Sequence, residues 1–353
     1  MRKLATIRKI GALNPIPKAD AIETAVVDGW QVVVKRGEFS IGDLVVYLEI
    51  DSWVPTELAS FLSKGKEPRE YNGVRGERLR TVKLRGQISQ GLVLPVGYVN
   101  DKVYGKFPVV YNSAGEYLGV VQEGDDVTTF LGVQKYDPPI SAQLAGLARG
   151  NFPSQIPKTD QERAQNLVTE ISVAISTGQD FEITEKLEGS SMTCYIVDGM
   201  FGVCSRNLDL KLDENNTFWK VAIEQSIEVK MRCISGDFAI QGELVGPGIQ
   251  DNIYNLNTHA FYVFDVYNIR SGGYLDPEAR RDLVESMGLK HVPVLNARAC
   301  LADLADNVAE VIELASAKSV LNPKQEREGI VLKEVNGGMS FKAISNKYLL
   351  AEK

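Results

Sequence analysis

The sequence predicts an α+β protein with two domains, and three observations support this prediction. The chain has 353 residues, a length that favours two domains over one. Its first hundred residues contain short β-branched runs separated by turn residues. From about residue 166 onwards, strand patterns are interspersed with helix patterns, which is typical of a domain with mainly antiparallel strands and flanking helices.

The first domain, residues 1–105, is predicted to be a small β-barrel. Its β-branched runs include Trp30 to Val34 and Leu44 to Ile50, and turn residues such as Asp28-Gly29 and Gly42-Asp43 break them. Short strands at this spacing favour a small barrel, and among such barrels we predict an OB-fold.

Residues 106–165 are predicted to be a connector, because this stretch is rich in Ser, Asp, Gly and Pro. The second domain then occupies residues 166–353. Its strand candidates are FEITEKL, SMTCYIV, MFGVCSR, FAIQGELV, HAFYVFDVYNI, GIVLKEV and SFKAIS. Its helix candidates are QNLVTEISVAISTG, DPEARRDLVESMG and CLADLADNVAEVIELASAKS.

Composition argues against several classes of protein. The four cysteines form no C-x-x-C pair and the two histidines lie far from any cysteine cluster, which disfavours a zinc site and a disulfide framework. With so few histidines, any catalysis must rest on Lys, Arg, Asp and Glu. No apolar run reaches the ~18–20 residues of a membrane span. The N-terminus lacks the apolar core of a signal peptide, so we expect a cytoplasmic protein, and we expect a monomer.

The charge is unevenly distributed. The formal net charge is −7, which argues against a uniformly basic nucleic-acid binder. Residues 64–85, however, contain eight basic and three acidic residues. Such a local basic face fits a phosphate-bearing partner, although a solvated turn region would explain it equally well.

The stretch TEKLEGSSMTCY places Lys186 at the end of a predicted strand, between Glu185 and Glu188. A lysine amine becomes a nucleophile only when it is deprotonated, and neighbouring carboxylates favour the ammonium form instead. Gly189 permits close approach of a ligand or of backbone. Taken alone, this pattern is better explained as a charged strand end followed by a tight turn.

Five further stretches downstream combine a strand with reactive polar residues. They are CSRNLDL, IQGELVGPG, FYVFDVYN, REGIVLKEV and SFKAISNKYL. The order K-x-[DE]-G-[ST], S-R-N, Gly-Glu strand, Phe-Asp strand, E-G-x-V and a final lysine resembles the covalent nucleotidyltransferases. That superfamily, with its ATP-grasp-like ligase domain, comprises ATP-dependent DNA and RNA ligases and mRNA capping enzymes. The resemblance covers residues from about 180 to 350.

The domain order narrows the resemblance. Capping enzymes and most DNA ligases carry the OB module after the nucleotidyltransferase domain, whereas here it comes first. With KLRGQISQGL and IPKTDQERAQN, the chain resembles the Deinococcus/Naegleria type of RNA ligase, which has an N-terminal OB domain. This resemblance implies sealing of 3′-OH/5′-phosphate breaks, in particular nicks in duplexes with RNA at the 3′-OH side. It implies ATP, Mg²⁺ or Mn²⁺, a lysyl-AMP intermediate and an AMP-capped 5′ end.

The resemblance also implies roles for individual residues. The catalytic residues would be Lys186, which attacks the α-phosphorus of ATP, with Glu188 and Lys342. The nucleotide-binding residues would be Glu185, Arg206, Glu243, Phe264, Glu328 and Lys342. Glu328 would also hold the metal ion, and Phe264 would stack on the adenine.

Two features extend or depart from the family pattern. Many relatives have two lysines spaced K-x-K in the last motif, but only Lys342 is matched here, so Lys333 or Lys347 is the candidate for the second charge. The basic segment is interpreted as a contact for the nucleic-acid backbone, and its candidate residues are Arg78, Arg80, Lys83 and Arg85.

Alternative functions remain open at this point. The nearest is another covalent nucleotidyltransferase, either an ATP-dependent DNA ligase or a GTP-using capping enzyme. A catalytically inactive nucleic-acid-binding protein is a second alternative. An OB-fold tRNA-binding protein with an unrelated partner domain is a third, but it leaves the later motifs unexplained.

Overall fold

The structure is a computed structural model that describes residues 3–101, 105–137 and 146–351. The chain divides into two compact units, Met1–Pro139 and Ile140–Lys353. The predicted connector, residues 106–165, contributes strands to both units, and its residues 138–145 lie outside the described part of the chain.

The first unit is built from short, mainly antiparallel strands. Their bounds are β1 Ala5–Lys9, β2 Ala12–Pro15, β3 Ile22–Val27, β4 Trp30–Lys35, β5 Leu44–Leu48, β6 Ser52–Pro55, β7 Arg69–Tyr71, β8 Val74–Arg78, β9 Val82–Leu84, β10 Gln87–Ser89, β11 Leu92–Pro95, β12 Gly97–Asp101, β13 Gly105–Tyr111, β14 Tyr117–Val120 and β15 Gln134–Lys135. They pair in the orders β1-β5-β11, β2-β3-β4, β9-β10, β12-β13-β14 and β15-β6-β8-β7. A 3₁₀ turn at Ser60–Ser63 follows β6.

The turn residues fall where the sequence predicted them. Val27 pairs with Trp30, so Asp28 and Gly29 form a two-residue hairpin loop, and Asp28 takes the left-handed conformation with φ 49°. The core of this unit collects alternate residues of several strands, including Ile7, Val46 and Leu48. Period-two burial of this kind fixes the register of each strand.

The second unit contains two antiparallel sheets and several short helices. Its strands are β16 Ala148–Asn151, β17 Glu162–Arg163, β18 Asp180–Lys186, β19 Ser190–Val197, β20 Met200–Cys204, β21 Leu208–Leu210, β22 Phe238–Val245, β23 Ala260–Asn268, β24 Gly273–Tyr274, β25 Lys290–His291, β26 Val294–Cys300, β27 Gly329–Glu334 and β28 Ser340–Ile344. Its helices are α1 Val168–Ser176, α2 Thr217–Glu224, α3 Ile227–Arg232, α4 Pro277–Ser286, α5 Val308–Glu313 and α6 Asn346–Ala351.

Each sheet has one face covered by helices. The eight-stranded sheet has the order β16-β21-β20-β19-β22-β23-β24, with β25 paired in parallel to β23, and its core includes side chains of α2, α3 and α4. The five-stranded sheet has the order β17-β28-β27-β18-β26 and packs against α1 and α5. The face of each sheet that the helices do not cover carries several polar side chains of β18, β22 and β28.

Helix prediction succeeded at two positions and failed at a third. The first two helix candidates correspond to α1 and α4. Asp276 is the N-cap of α4, and its carboxylate accepts a hydrogen bond from the Ala279 main-chain N–H. The third candidate is wrong as one long helix. Cys300 ends β26, a 3₁₀ turn follows, and the Asn307 side chain starts α5 afresh as its N-cap.

Candidate active site

Lys186 is the last residue of β18 and lies opposite Gly329 of β27. Its Nζ donates a hydrogen bond to Glu328 Oε1 at 2.5 Å, and the two side chains are 26% and 15% exposed. The amine is thus accessible to a small ligand and is held by a carboxylate from the E-G-x-V motif. This contact joins two motifs that are 142 residues apart in the sequence.

Strand register places Lys342 on the same face as Lys186. Residues opposite each other in an antiparallel pair share a face, and faces alternate along each strand. Thr184 lies opposite Val331, and Val331 lies opposite Lys342. Lys186 is two residues beyond Thr184, so the two lysines project from one face of the five-stranded sheet.

Glu185 projects from the other face of that sheet. Its side chain is 1% exposed, and its Oε2 accepts a hydrogen bond from the Val320 main-chain N–H at 2.8 Å. The structure therefore does not bring the Glu185 carboxylate to the face that carries Lys186.

Glu188 is held by the turn that follows β18. Its main-chain N–H donates to the Tyr254 hydroxyl at 2.5 Å, and its carboxylate accepts from the Asp251 main-chain N–H and the Tyr348 hydroxyl. Burial raises the pKa of Glu188, and the nearby Glu328 carboxylate raises it further. Two acidic groups thus lie close to each other beside Lys186.

Gly189 brings the eight-stranded sheet close to this turn. A Cβ atom at this position would lie 2.4 Å from the Leu244 carbonyl oxygen and 2.8 Å from Glu243 Cγ. Glycine is therefore required here by close approach of two chain segments, and this contact places the β22 strand directly beside the Lys186 loop.

Glu243 lies on β22 opposite Ser191 of β19 and Tyr262 of β23. Burial raises the pKa of Glu243 to about 8, while Lys186 opposes the rise and Glu328 adds to it. Glu243 therefore feels the charges of both residues of the Lys186–Glu328 pair, which places it at the same site.

Phe264 occupies a β-bulge. Gln241 pairs with Asp265 and Gly242 pairs with Val263, so Phe264 is the extra residue between them. Its ring is half-buried and packs in the cluster that contains Leu187, whereas Phe261 points into the opposite core and is fully buried. The bulge thus places the Phe264 ring against the same apolar cluster as Leu187, the residue that follows Lys186.

The two candidates for a second lysine differ in their positions. Lys333 Nζ donates to the Phe264 main-chain oxygen at 2.8 Å and to Asp265 Oδ1 at 2.5 Å, so its amine secures the bulge. Lys347 is exposed on α6, and its charge acts on Glu326. Lys333 lies opposite Glu182 and therefore projects from the same sheet face as Lys186 and Lys342, but its amine is bound at the bulge, whereas Lys347 lies on α6.

Arg206 lies in the loop between β20 and β21. Its Nη2 donates to Asp160 Oδ1 at 2.8 Å, and the two side chains are 47% and 55% exposed. Its positive charge also acts on Glu243, so the guanidinium lies at the edge of the same site.

The acidic side chains suit a hard divalent cation in type. Glu188, Glu243 and Glu328 are carboxylates whose mutual repulsion contributes to the raised pKa of Glu243, and oxygen donors of this kind are those that Mg²⁺ and Mn²⁺ prefer. Within the described ranges, no three acidic, histidine or cysteine side chains form a ready-made metal cage. A cation here would therefore take part of its coordination from phosphate oxygens and water, as Mg²⁺ usually does.

The four predicted nucleic-acid-binding residues of the first unit fall into two groups. Arg78 Nη2 donates to Asp51 Oδ1 at 2.5 Å, and its guanidinium carbon lies 5.1 Å from the centre of the Tyr136 ring. Arg80, Lys83 and Arg85 are exposed on or beside the β9–β10 hairpin, with Arg85 in its two-residue turn. The hairpin group is therefore the part of the predicted nucleic-acid surface that faces solvent.

Sequence reasoning missed a set of residues that support the site. Tyr254 and Tyr348 hold Glu188, and Arg280 holds Glu182 of β18 and lies 3.7 Å from Asp265 of β23. None of these residues belongs to a short motif, because their contacts join elements far apart in the sequence. The one available signal was the position of Arg280 in DPEARRDLVESMG, in helical spacing with Val284 and Met287 on the apolar face, where an arginine is rare unless it is paired.

Comparison with known protein families defines the class. A model of an OB-fold domain matches residues 4–96, and a model of the RNA ligase family matches residues 179–345. The chain is thus a ligase domain that follows an OB-fold domain, as predicted. No curated protein matched the chain in a sequence comparison.

Solved structures extend the match to almost the whole chain. A lysine-to-alanine mutant of Naegleria gruberi RNA ligase with ATP and Mn is 42% identical, with a TM-score of 0.86, and the match covers 98% of each chain. The Naegleria gruberi RNA ligase with PPi is 43% identical, with a TM-score of 0.86, and the match covers 99% of this chain and 98% of that one. A lysine-to-methionine mutant with AMP and Mn is also 43% identical, with a TM-score of 0.86 and the same coverage.

The chain therefore belongs to the RNA ligase family. The predicted fold class, an OB-fold domain followed by an antiparallel ligase domain, is confirmed, as is the predicted enzyme class at the level of the family. Among the described residues, no helix has both the length and the apolar character needed to cross a membrane.

Proposed function

We propose that this enzyme joins 3′-OH and 5′-phosphate ends of RNA-containing strands through AMP bound covalently to Lys186. The observation that carries the proposal is the placement of Lys186. Its amine is part-exposed, contacts Glu328 at 2.5 Å, and shares a sheet face with Lys342. This placement supports a role for Lys186 as the nucleophile, for Glu328 as the proton acceptor and for Lys342 as a second cation.

The first step is attack of Lys186 Nζ on the α-phosphorus of ATP. A P–N bond forms, the bond from the α-phosphorus to the bridging oxygen breaks, and pyrophosphate leaves. The amine must lose a proton, and Glu328 Oε1 is in hydrogen-bond contact to accept it. Lys342 projects from the same face, where its positive charge would help to neutralise the α-phosphate.

Two further steps complete the joining. AMP passes from Lys186 to the 5′-phosphate, which restores the lysine, and the 3′-hydroxyl then displaces AMP as the phosphodiester forms. All three steps are displacements at a crowded anion, for which positioning and positive charge matter more than proton transfer. Arg206 at the edge of the site and Lys342 within it supply that charge.

The identities of the nucleotide and the metal ion are inferred from the side chains of the site and from the similar structures. The Naegleria gruberi structures contain ATP or AMP with Mn, and we infer ATP with Mg²⁺ or Mn²⁺ for this chain. Phe264 would stack on adenine and Glu243 would accept from the ribose hydroxyl. Glu328, with Glu188 beside it, would hold the cation, which would neutralise charge on the phosphates.

The substrate we infer is a nick in a duplex with RNA at the 3′-OH side, bound by a monomer of this chain. Support comes from the exposed hairpin of Arg80, Lys83 and Arg85, which suits contact with a phosphate backbone.

Four nicked duplexes test this assignment, with RNA or DNA independently at the 3′-OH strand and at the 5′-phosphate strand. Each is incubated with the enzyme and ATP, and Lys186→Ala is the control. We expect sealing wherever the 3′-OH strand ends in RNA, and none with Lys186→Ala. Equal sealing of the all-DNA nick would favour the DNA ligase alternative. Binding without sealing of any duplex would favour an inactive nucleic-acid-binding protein.

A further inference from the structure

A short segment of the second unit, residues 157–163, crosses from one sheet to the other; we call it the strap. At one end, the Pro157 carbonyl oxygen accepts from Gln241 Nε2 on β22 at 2.7 Å. At the other end, Glu162 and Arg163 form β17, which pairs in parallel with Phe341 and Lys342 of β28. The strap thus connects the strand of Glu243 to the strand of Lys342.

Each of the four intervening strap residues contacts a strand or loop that carries a motif, and two of them contact the same loop, between β20 and β21. Lys158 Nζ donates to Asn207 Oδ1 at 2.9 Å, and the Thr159 hydroxyl lies 2.8 Å from the Ser191 hydroxyl. Asp160 accepts from Arg206, and Gln161 Oε1 accepts from the Ser340 hydroxyl at 2.8 Å. Ser191 lies opposite Glu243 in the sheet. The strap therefore borders the nucleotide site along its whole length.

We propose that Asp160 is a positioning residue that orients the Arg206 guanidinium towards the bound nucleotide. This inference rests on the proposed role of Arg206 in nucleotide binding. The Asp160–Arg206 pair is part-exposed at 55% and 47%, and Arg206 lies in a loop rather than on a strand. A long arginine side chain in such a loop loses rotamer freedom when it binds a ligand, and a carboxylate that already accepts from the guanidinium, on a strap held at both ends, reduces that loss.

A competing role for Asp160 predicts the opposite change in the KM for ATP. If Asp160 instead competed with a nucleotide phosphate for the Arg206 guanidinium, removal of the carboxylate would improve ATP binding. Removing a negative charge next to an anionic substrate would act in the same direction. A weakening of ATP binding in Asp160→Ala would therefore have to come from lost orientation.

The test measures single-turnover formation of the enzyme–AMP adduct by Asp160→Ala, Asp160→Asn and Arg206→Ala in the full chain, with KM as the ATP concentration that gives half the maximal rate constant and kcat as that maximal rate constant. We expect Asp160→Ala to raise the KM for ATP about three- to fivefold, the range of an exposed charged pair, with little change in kcat. Asp160→Asn keeps an oxygen that accepts from Arg206 Nη2, so we expect it to restore a KM near that of the wild type. The double variant Asp160→Ala/Arg206→Ala should have the KM of Arg206→Ala alone.

Glu228→Ala is the matched control. Glu228 pairs with Arg232 at 2.7 Å, and these side chains are 45% and 47% exposed on α3, so the pair has similar geometry outside the site. We expect no change in KM for this variant. An unchanged or lower KM for Asp160→Ala, while Arg206→Ala raises it, would overturn the inference and leave the proposed function intact. An unchanged KM for Arg206→Ala would instead contradict the proposed role of Arg206.

Discussion

Gly189 illustrates how a single residue sets the geometry of the site. The sequence suggested that glycine permits close approach, and the structure shows what approaches. The Leu244 carbonyl oxygen and Glu243 Cγ lie only 2.4 Å and 2.8 Å from the point where a Cβ atom would stand. The K-x-x-G pattern of the opening motif therefore couples Lys186 to Glu243, because Gly189 lets the chain pass from Lys186 into β19 in close contact with the neighbouring strand β22.

We predict that Gly189→Ala weakens both stability and adenylylation. The added methyl group forces β19 or β22 to shift, which typically costs about 1–3 kcal/mol. Misplacement of Glu243 relative to Lys186 should lower the adenylylation rate by about 10- to 100-fold. Single-turnover adenylylation and thermal unfolding measure the two effects.

Gly273→Ala provides the control for this prediction. Gly273 lies on β24 of the same sheet, and a Cβ atom there would meet nothing within 4 Å. We expect Gly273→Ala to keep the stability and the adenylylation rate of the wild type. Normal adenylylation by Gly189→Ala would contradict the close-approach account.

At the scale of single residues, short motifs located Lys186, Glu243, Glu328 and Lys342, and the structure places all four around one site. The same reasoning did not foresee that Glu185 faces the other side of its sheet, although strict alternation along β18 implies it. It also did not foresee that Arg78 pairs with Asp51, because this tertiary contact leaves no local pattern in the sequence.

At the scale of secondary-structure elements, a buried charge network joins β18, β23, β25 and α4. Arg280 is 1% exposed and donates to Glu182 and to His291 Nε2, the latter at 3.0 Å. His291 Nδ1 lies 2.7 Å from the Val292 carbonyl oxygen. Since a carbonyl only accepts, Nδ1 carries the proton and Nε2 accepts from Arg280, so this histidine is neutral.

The network predicts a pH dependence of stability. Burial and the Arg280 charge lower the pKa of His291 to about 4, below its ordinary value of 6.5. Between about pH 6.5 and 4 the unfolded chain binds a proton that the folded protein does not, so stability falls as the pH falls through this window. The loss attributable to His291 is at most about 3 kcal/mol.

His291→Gln isolates this contribution, because glutamine offers an acceptor and a donor without titrating. We expect the difference in unfolding free energy between wild type and variant to shrink as the pH is lowered from about 7.5 to 4.5. Urea unfolding of both proteins at each pH measures it, and groups that titrate equally in both cancel. A difference that does not vary with pH would show that His291 is not held neutral by this network.

Element prediction worked where the local pattern agreed with the fold. Helix α4 carries its own start signal in Asp276 and Pro277. By contrast, the strand β13 contains Pro108, which argues against a strand in sequence reasoning, yet it pairs with both β12 and β14. Helix α5 is shorter than the predicted helix because it begins only after its N-cap, Asn307, although the apolar pattern already starts before that residue.

At the scale of the whole molecule, the sequence predicted the order of the two domains because strand spacing and motif order are long-range patterns. The chain-long match to the RNA ligase structures agrees with that order. The division of the predicted connector between the two units depends on strand pairing, which composition does not reveal.

If the first unit binds nucleic acid and the second carries out adenylylation, the two activities should be separable by mutation. Replacing Arg80 and Lys83 with Ala and Arg85 with Asn should weaken binding to a nicked duplex and reduce its salt dependence, while adenylylation stays intact. Asparagine is chosen because Arg85 has φ 49°. If all three contact phosphates, the slope of log K against log salt should fall in magnitude by about 3.

The control removes the same charge elsewhere in the first unit, at Lys3, Lys35 and Arg36, which are exposed. We expect this variant to keep most of the affinity and nearly all of the salt slope. Equal losses in both triple variants would indicate a general charge effect and would contradict a binding surface on the hairpin.

The central claim is that Lys186 carries AMP, and labelling tests it most directly. The wild-type protein and Lys186→Ala, each freed of bound nucleotide and shown to be folded, are incubated with Mg²⁺ and ATP or GTP labelled at the α-phosphate. Denaturing electrophoresis follows, and peptide mass mapping locates the adduct. The account predicts label from ATP, not GTP, on the peptide containing Lys186, and none on Lys186→Ala. Label on another residue, or label that persists in Lys186→Ala, would contradict it.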